Sequence, residues 1–435
     1  MHLGKKIGFW SVTSLVIGSQ IGSGILLLPA SLAKFGAIGL TSWLITSTGA
    51  LFLALIFSKL CSKIPKTGGP HAYIAAAFGD RAAFYAAWTY WVISWLSTPA
   101  VLIAIVGYLN PLLGNADPLT NLFLEILILF SITLLNLSGV GTAGRAEFVF
   151  TLLKVIPLLI VPLAGITFIN KNNFIPFNPT GESTFTALNS AALLTLWGFI
   201  GVESATTPAG SVEKPAKTIP TAIVVGTAVV ALVYILSSFV VMGIISPREL
   251  EQSKAPFADA ATLIFSGHWG MVVSMAASIV CLGTLNAWIL TSGQIALGAA
   301  TDGYFPRFFS VKNKKGAPKW SLIISSLGIV PFLIITMDEN LINQVNKIID
   351  ISVTAFLFVY TFCVLSYLKI FCHFDKFNFI NLRRLCIAII ALIFCGWALW
   401  SSGIKVVSLA MLVTLSGIPV YFLMKKNKHD LLPKF

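Results

Sequence analysis

From Ile7 to Ala33 the chain carries no charged residue, and runs of the same kind recur along its length. About 20 such residues make an α-helix long enough to cross ~30 Å of hydrocarbon. In lipid every backbone N–H and C=O needs a partner within the protein, so only helices or closed barrels span it. Barrel strands alternate apolar and polar residues over about ten positions. The uninterrupted runs here are therefore helical. Composition agrees: 57% of the 435 residues are hydrophobic and 10% charged, against about 25% charged in a soluble domain. The mean hydropathy is +0.89. The chain reads as an all-α polytopic membrane protein, a single transmembrane domain over residues 1–435.

Twelve spans are expected, at about 8–33, 38–62, 82–109, 119–138, 146–169, 188–208, 220–245, 270–300, 319–336, 343–371, 384–402 and 404–424. Cytoplasmic loops carry an excess of Lys and Arg. With the N-terminus inside, 23 of the 29 fall on the cytoplasmic side, leaving Lys34, Lys171, Arg248, Lys254, Lys347 and Lys405 outside. Both termini are then cytoplasmic, and a bacterial inner membrane is the expected location. The net charge of +13 expresses this asymmetry and an attraction to anionic lipid, so nucleic acid is not an expected partner. The basic start MHLGKKIGFW lacks a cleavage site after a short apolar core and reads as part of a retained first span.

Two runs contain a break. Residues 18–29 read GSQIGSGILLLP, three glycines and two serines where a membrane helix should be most regular. Residues 195–212 read TLWGFIGVESATTPAGSV, interrupted by Gly201, Glu203 and Pro208. These are spans one and six, equivalent positions if the first ten spans form two halves of five. Paired interrupted segments in corresponding positions point to a transporter binding site. A broken helix exposes N–H groups that suit a carboxylate and C=O groups that suit an ammonium, the two ends of an α-amino acid. Taken alone, GSG also fits close helix packing.

The motifs GSGILLLPASLA (22–33), TGGPHAY (67–73), YWVISW (90–95), TLWGFIGVESA (195–205), APFADAA (255–261), CLGTLNAW (281–288) and DGYFP (302–306) occur in this order. Over residues 5–420 the chain resembles the amino acid–polyamine–organocation superfamily. Within it, the chain is most similar to bacterial antiporters of the arginine/agmatine and ornithine/putrescine type. The resemblance implies a five-plus-five inverted-repeat fold with spans one and six broken. Its repeats would cover about 8–169 and 188–371, with two extra helices at about 384–424.

It also implies roles for individual residues. Ile21, Gly22, Ser23, Gly24 and Ile25 match the segment whose backbone N–H groups hold the substrate carboxylate. The carbonyls of Trp197 and Ile200 match the ammonium site. Trp197 matches an aromatic gate, able to stack on a cationic side chain for about 0.5–2 kcal/mol. Trp288 matches a second pocket aromatic, Ser352 a polar pocket position, and Tyr90 and Tyr360 further gate aromatics. Ser94 and Thr98 stand where arginine-specific relatives carry Cys and Asn, so the side-chain end is not a close match for arginine.

Four polar residues keep two readings each. Glu203, near mid-membrane, is functional by default: it either couples the gate to substrate and proton or satisfies the next half-helix. Lys154 is nine residues after Arg145, about 13 Å along a helix of ~1.5 Å rise. It either snorkels to the cytoplasmic surface or, as in some sodium-independent relatives, stands in the place of sodium and braces spans one and eight. Asp350 either meets a cationic side chain or sits at a solvated helix end. His71, in the cytoplasmic segment PKTGGPHAYIAAAFGD, either senses pH or is an inert loop histidine.

The expected function is secondary active transport: antiport of a cationic amino acid against a related amine or amino acid by alternating access. The alternative is a sodium-independent transporter or exchanger of neutral amino acids, with or without proton coupling; Lys154 and Thr98 favour it. An enzyme is not expected, since the five histidines form no catalytic motif. A channel is disfavoured because no charge ring or repeated filter sequence appears. The six cysteines (61, 281, 363, 372, 386, 395) have no metal-ligand spacing and read as reduced and structural. No metal or cofactor is expected. The expected partners are amino acid or amine substrates and the lipid bilayer, with room for a homodimer.

Overall fold

The computed structural model of the chain describes residues 6–110, 114, 117–253, 255–265, 269–335, 342–372 and 379–429, without the side chains of Ser23, 269–270, 342–349 and 426–429. Of the residues in the orientation argument, Lys5, Lys254, Lys376 and Lys434 lie outside the described residues. Eleven helices among the described residues are long and apolar enough to cross a membrane. They are spans one (Phe9–Ala33), two (Ile38–Lys63), three (Asp80–Leu109), four (Pro118–Leu137), five (Val140–Phe168) and six (Thr184–Thr206). The others are seven (Pro215–Ile244), eight (Met271–Thr301), ten (Asp350–Phe371), eleven (Phe379–Ser401) and twelve (Gly403–Lys425). The expected ninth is a 17-residue apolar helix, Lys319–Ile335, whose expected last residue lies outside the described ones. The protein is an all-α, multi-pass membrane protein.

Burial sorts the spans into layers. In an 18-residue apolar stretch of each, 76% of span one and 61% of span eight is buried, against 22% of span four and 11% of span twelve. Span one therefore forms the centre, packed against spans five, seven and eight. The faces turned away from the centre expose Phe123, Phe130, Leu163, Leu232, Ile404 and Leu412, which lipid solvates at no cost.

Both breaks are present, and each has a local cause. Span one is helical over Phe9–Gln20, turns extended at Ile21 and Gly22, and resumes at Ser23. A Cβ at Gly22 would sit 3.1 Å from the Thr284 methyl, so a larger residue there would press on span eight. Span six is α-helical over Thr184–Leu196, makes a tight turn at Trp197–Phe199 and reaches Gly201 at φ +104°. Only glycine adopts that left-handed conformation without strain. The expected second half-helix after this break is not α-helical: Ser204–Thr206 and Ala209–Ser211 are single 3₁₀ turns. The hydroxyls of Thr206 and Thr207 donate to the carbonyls of Glu203 and Ser204, each at 2.7 Å. Such local bonds compete with the α-helical ladder, and Pro208 removes a donor.

One end of the bundle is stitched shut. Ile7 exchanges backbone hydrogen bonds with Ser211 (2.9 Å) and Glu213 (3.0 Å), and the Gly68 N–H donates to Thr207 O at 2.8 Å. The segment read as a cytoplasmic loop holds a helix, Pro70–Phe78. His71 is therefore not a loop residue: it is buried, and its Nε2 meets the Asp302 carboxylate at 3.2 Å. Lys66 reaches the same carboxylate at 3.8 Å. The His71 hydrogen bond, opposed by partial burial and helped by Lys66, holds the Asp302 carboxyl below its ordinary value.

Candidate functional site

The two breaks face each other and are joined. Ser19, in the last turn before the first break, donates to Gly201 O at 3.0 Å and lies 2.8 Å from the Ser204 hydroxyl. Beside them is a cavity of about 40 Å³, lined by Ser19, Gln20, Gly22, Ser97, Thr98, Val101, Trp197, Ile200, Thr284, Trp288, Ser352, Val353 and Phe356. At ~10–15 Å³ for one water in this measure, it holds about three waters. An amino acid is larger, so binding one requires the lining to move apart.

Of the expected site residues, Gly22, Thr98, Trp197, Ile200, Trp288 and Ser352 line this cavity. Gly24 lies against Trp197, since a Cβ on it would be 3.0 Å from the indole Cδ1. The Ser23 side chain lies outside the description, but its backbone opens the helix Ser23–Ala33, whose N-terminus carries no side-chain cap. The first N–H groups of a helix lack intrahelical partners, so they remain for an anion. Ile25 is buried in apolar packing. The Ile21 N–H is spent on Ile17 O at 2.8 Å, and its carbonyl accepts from Thr284 Oγ1 (2.6 Å) and Lys154 Nζ (3.2 Å). Ser94 does not line the cavity. Its hydroxyl donates to Trp91 O at 2.7 Å within its own helix, and Ser97, three residues on, takes the lining position.

The aromatic residues form a connected wall. The Trp288 indole N–H donates to Ser19 O at 3.2 Å, and its ring lies 5.4 Å from Phe356. Tyr90 is behind this layer, 5.8 Å from Phe356, not on the cavity. Tyr360 bolts the second break. Its hydroxyl accepts from the Gly201 N–H at 3.0 Å and donates to the Glu203 carboxylate. Glu203 is fully buried beside Tyr90 as well as Tyr360. It binds a side chain of span ten, not the N-terminus of a following half-helix.

Lys154 does not snorkel; it is fully buried. Its ammonium donates to Gly18 O (3.2 Å), Ile21 O (3.2 Å) and Thr284 Oγ1 (3.4 Å), using all three of its donors. Gly18 and Ile21 are at the C-terminal end of Phe9–Gln20, where unpaired carbonyls carry partial negative charge. A cation there braces spans one, five and eight together.

Sequence reasoning missed Glu147. It is buried, accepts from Asn286 Nδ2 at 2.7 Å and Thr151 Oγ1 at 3.4 Å, and lies against Gly18. Asn286 in turn accepts from Asn136 Nδ2 at 3.0 Å. Glu147 comes seven residues before Lys154, two helical turns on one face, a spacing that was readable. Gln20, Ser97, Thr284 and Phe356 were missed too. Only Gln20, the largest polar side chain in the first break, carried a local signal.

Comparison with known proteins fits this geometry. An amino acid permease family model matches residues 7–424. The putrescine transporter PotE of Haemophilus influenzae is 33% identical over 353 residues, 81% of each chain. Escherichia coli PotE is 30% identical over 436 residues, 98% of each chain, and the E. coli cadaverine/lysine antiporter is 31% identical over 432 residues, 95% of each. With paired breaks around a polar and aromatic cavity, and a family model that spans nearly the whole chain, this protein belongs to the amino acid permease family of the amino acid–polyamine–organocation superfamily.

Proposed function

We propose that the chain is an antiporter that exchanges a cationic amino acid for a related amine or amino acid by alternating access. The observation that carries this reading is the cavity between the two breaks. A helix N-terminus opens at its edge, and Trp197, Trp288 and Phe356 line its wall. In this reading the N–H groups from Ser23 onward hold the carboxylate, the backbone around Trp197 and Ile200 holds the ammonium, and the indoles stack on a cationic side chain. The relatives' names refer to putrescine, cadaverine and lysine, all cationic, which weighs against the neutral alternative. Two inverted repeats, at about 8–169 and 188–371, would rock around this site. Both termini are placed in the cytoplasm of a bacterial cell on the strength of the basic-residue asymmetry.

The test is counterflow in proteoliposomes loaded with ornithine, lysine, putrescine or leucine. Labelled ornithine should enter only against a cationic internal substrate; stimulation by leucine alone would overturn the reading. Replacing sodium by choline should change the rate less than about twofold, because Lys154 already supplies the positive charge at the Gly18 and Ile21 carbonyls. A tenfold drop would remove Lys154 from that role.

Glu203 is proposed as the coupling carboxylate. It reaches the second break through the Tyr360 hydroxyl, which also holds the Gly201 N–H. A change in its protonation therefore alters the bond that fixes the break. Glu203→Gln keeps size and hydrogen-bonding atoms but does not ionise. The variant should still bind ornithine while its exchange rate loses most of its variation between pH 5 and 8. Superimposable profiles for variant and wild type would leave Glu203 a structural partner only.

A further inference from the structure

Trp197 has a cavity on each side. Besides the narrow one between the breaks, a larger one of about 340 Å³ lies toward the end of the bundle opposite Ile7. Trp197 and Val353 line both, so these two side chains are the partition. Span ten supplies a polar residue to each compartment: Ser352 to the inner cavity and Asp350 to the outer. Residues two apart on an α-helix point about 200° away from each other, which is why adjacent positions serve opposite sides of the partition.

Asp350 is exposed, and it is the only carboxylate on the outer cavity among the described residues. The remaining walls are apolar or carry hydroxyls, as at Leu194, Thr354 and Ser401. A single negative charge in a cleft with low-dielectric walls concentrates cations and raises their arrival rate. We propose that this outer cavity is a waiting site for the substrate's cationic side chain or terminal ammonium, with Asp350 as its recognition charge. The substrate passes from it to the inner cavity when Trp197 swings aside. The proposal rests on the cationic-substrate reading and adds a second subsite to it. It also resolves the two readings of Asp350: the carboxylate is solvated, and it faces the route a cation takes.

The test compares ornithine with citrulline, an uncharged analogue of similar length, in right-side-out and inside-out vesicles holding the full-length protein. Asp350→Asn keeps the shape of the side chain, and the backbone carbonyl that Thr354 Oγ1 uses at 2.9 Å is unaffected. The variant should raise the KM for ornithine about 5–10-fold from the vestibule face, more at low ionic strength than at high. The saturated rate should stay within about twofold, and neither citrulline nor the opposite face should respond. Asp350→Glu should restore most of the loss. A change in ornithine KM below twofold, while the wild type exchanges ornithine, overturns the waiting site and leaves the antiport reading standing. An equal rise at both faces also overturns it, since the charge would then act within the shared inner cavity. A wild type that exchanges citrulline but not ornithine overturns both.

Discussion

Glu147→Ala should lower the stability of the folded protein by about 3–5 kcal/mol, the usual cost of removing one partner from a buried charge pair. Glu147 and Lys154 are both fully buried and act electrostatically on one another. Between them they hold the last turn of the first half-helix, the carboxyl against Gly18 and the ammonium on the Gly18 and Ile21 carbonyls. Alanine removes the counter-charge, strands a donor of Asn286 and leaves a space in the centre of the bundle. Melting of the detergent-solubilised protein reads the effect. Glu147→Gln, which keeps volume and acceptor but no charge, should fall between alanine and wild type. Two unchanged melting curves would show that the Glu147 carboxylate contributes nothing to stability.

The distinction between Glu147 and Lys154 shows where a linear reading succeeds. Lys154 is conspicuous because a cation inside an apolar run has few harmless explanations, and its brace across spans one and eight was already one of two readings. Glu147 sits just inside the start of the same run, three residues after Gly144, where a carboxylate passes for part of the loop. Only the packing of span one and Asn286 against it shows that it is buried. The paired breaks were legible for a related reason: glycine, serine and proline within an apolar run leave a mark that needs no tertiary information. What surrounds the breaks is different. Ser97, Thr284, Val353 and Phe356 come from spans three, eight and ten, and each is unremarkable in its own run. The error at Ser94 has the same origin. Ser94, Ser97 and Thr98 each bond a carbonyl of the preceding turn, so only the packing of span three shows which of them face the cavity. At the closed end, TGGPHAY read as a loop because two glycines and a proline dominate it. The helix that starts at Pro70 uses that proline as its first residue, where the missing N–H costs nothing.

The largest functional effect is expected at Trp197, where Trp197→Leu should cut the rate of exchange at least about 100-fold while affinity falls much less. Stacking of an indole on a cation is worth about 0.5–2 kcal/mol, which is at most a roughly 30-fold change in dissociation constant. The remainder of the rate loss comes from the partition. Trp197 lines the inner cavity of about 40 Å³ and the outer one of about 340 Å³, and its ring rests on Gly24 at the first break. Leucine is too short to span that gap, so the two spaces merge and substrate is no longer sealed from one side while the other opens. Alternating access depends on that sealed state, whose population falls even when the open state still binds. Trp197→Phe keeps an aromatic face with less reach and should recover part of the rate. Gly24→Ala provides a second route to the same defect, because its new methyl would press on the indole while leaving the Trp197 side chain itself intact. Equilibrium binding and single-turnover exchange of labelled ornithine in the same proteoliposomes separate the two quantities. Equal fractional losses in binding and in exchange, for both Trp197→Leu and Gly24→Ala, would make Trp197 an ordinary wall of the pocket and leave the barrier between the cavities to Val353.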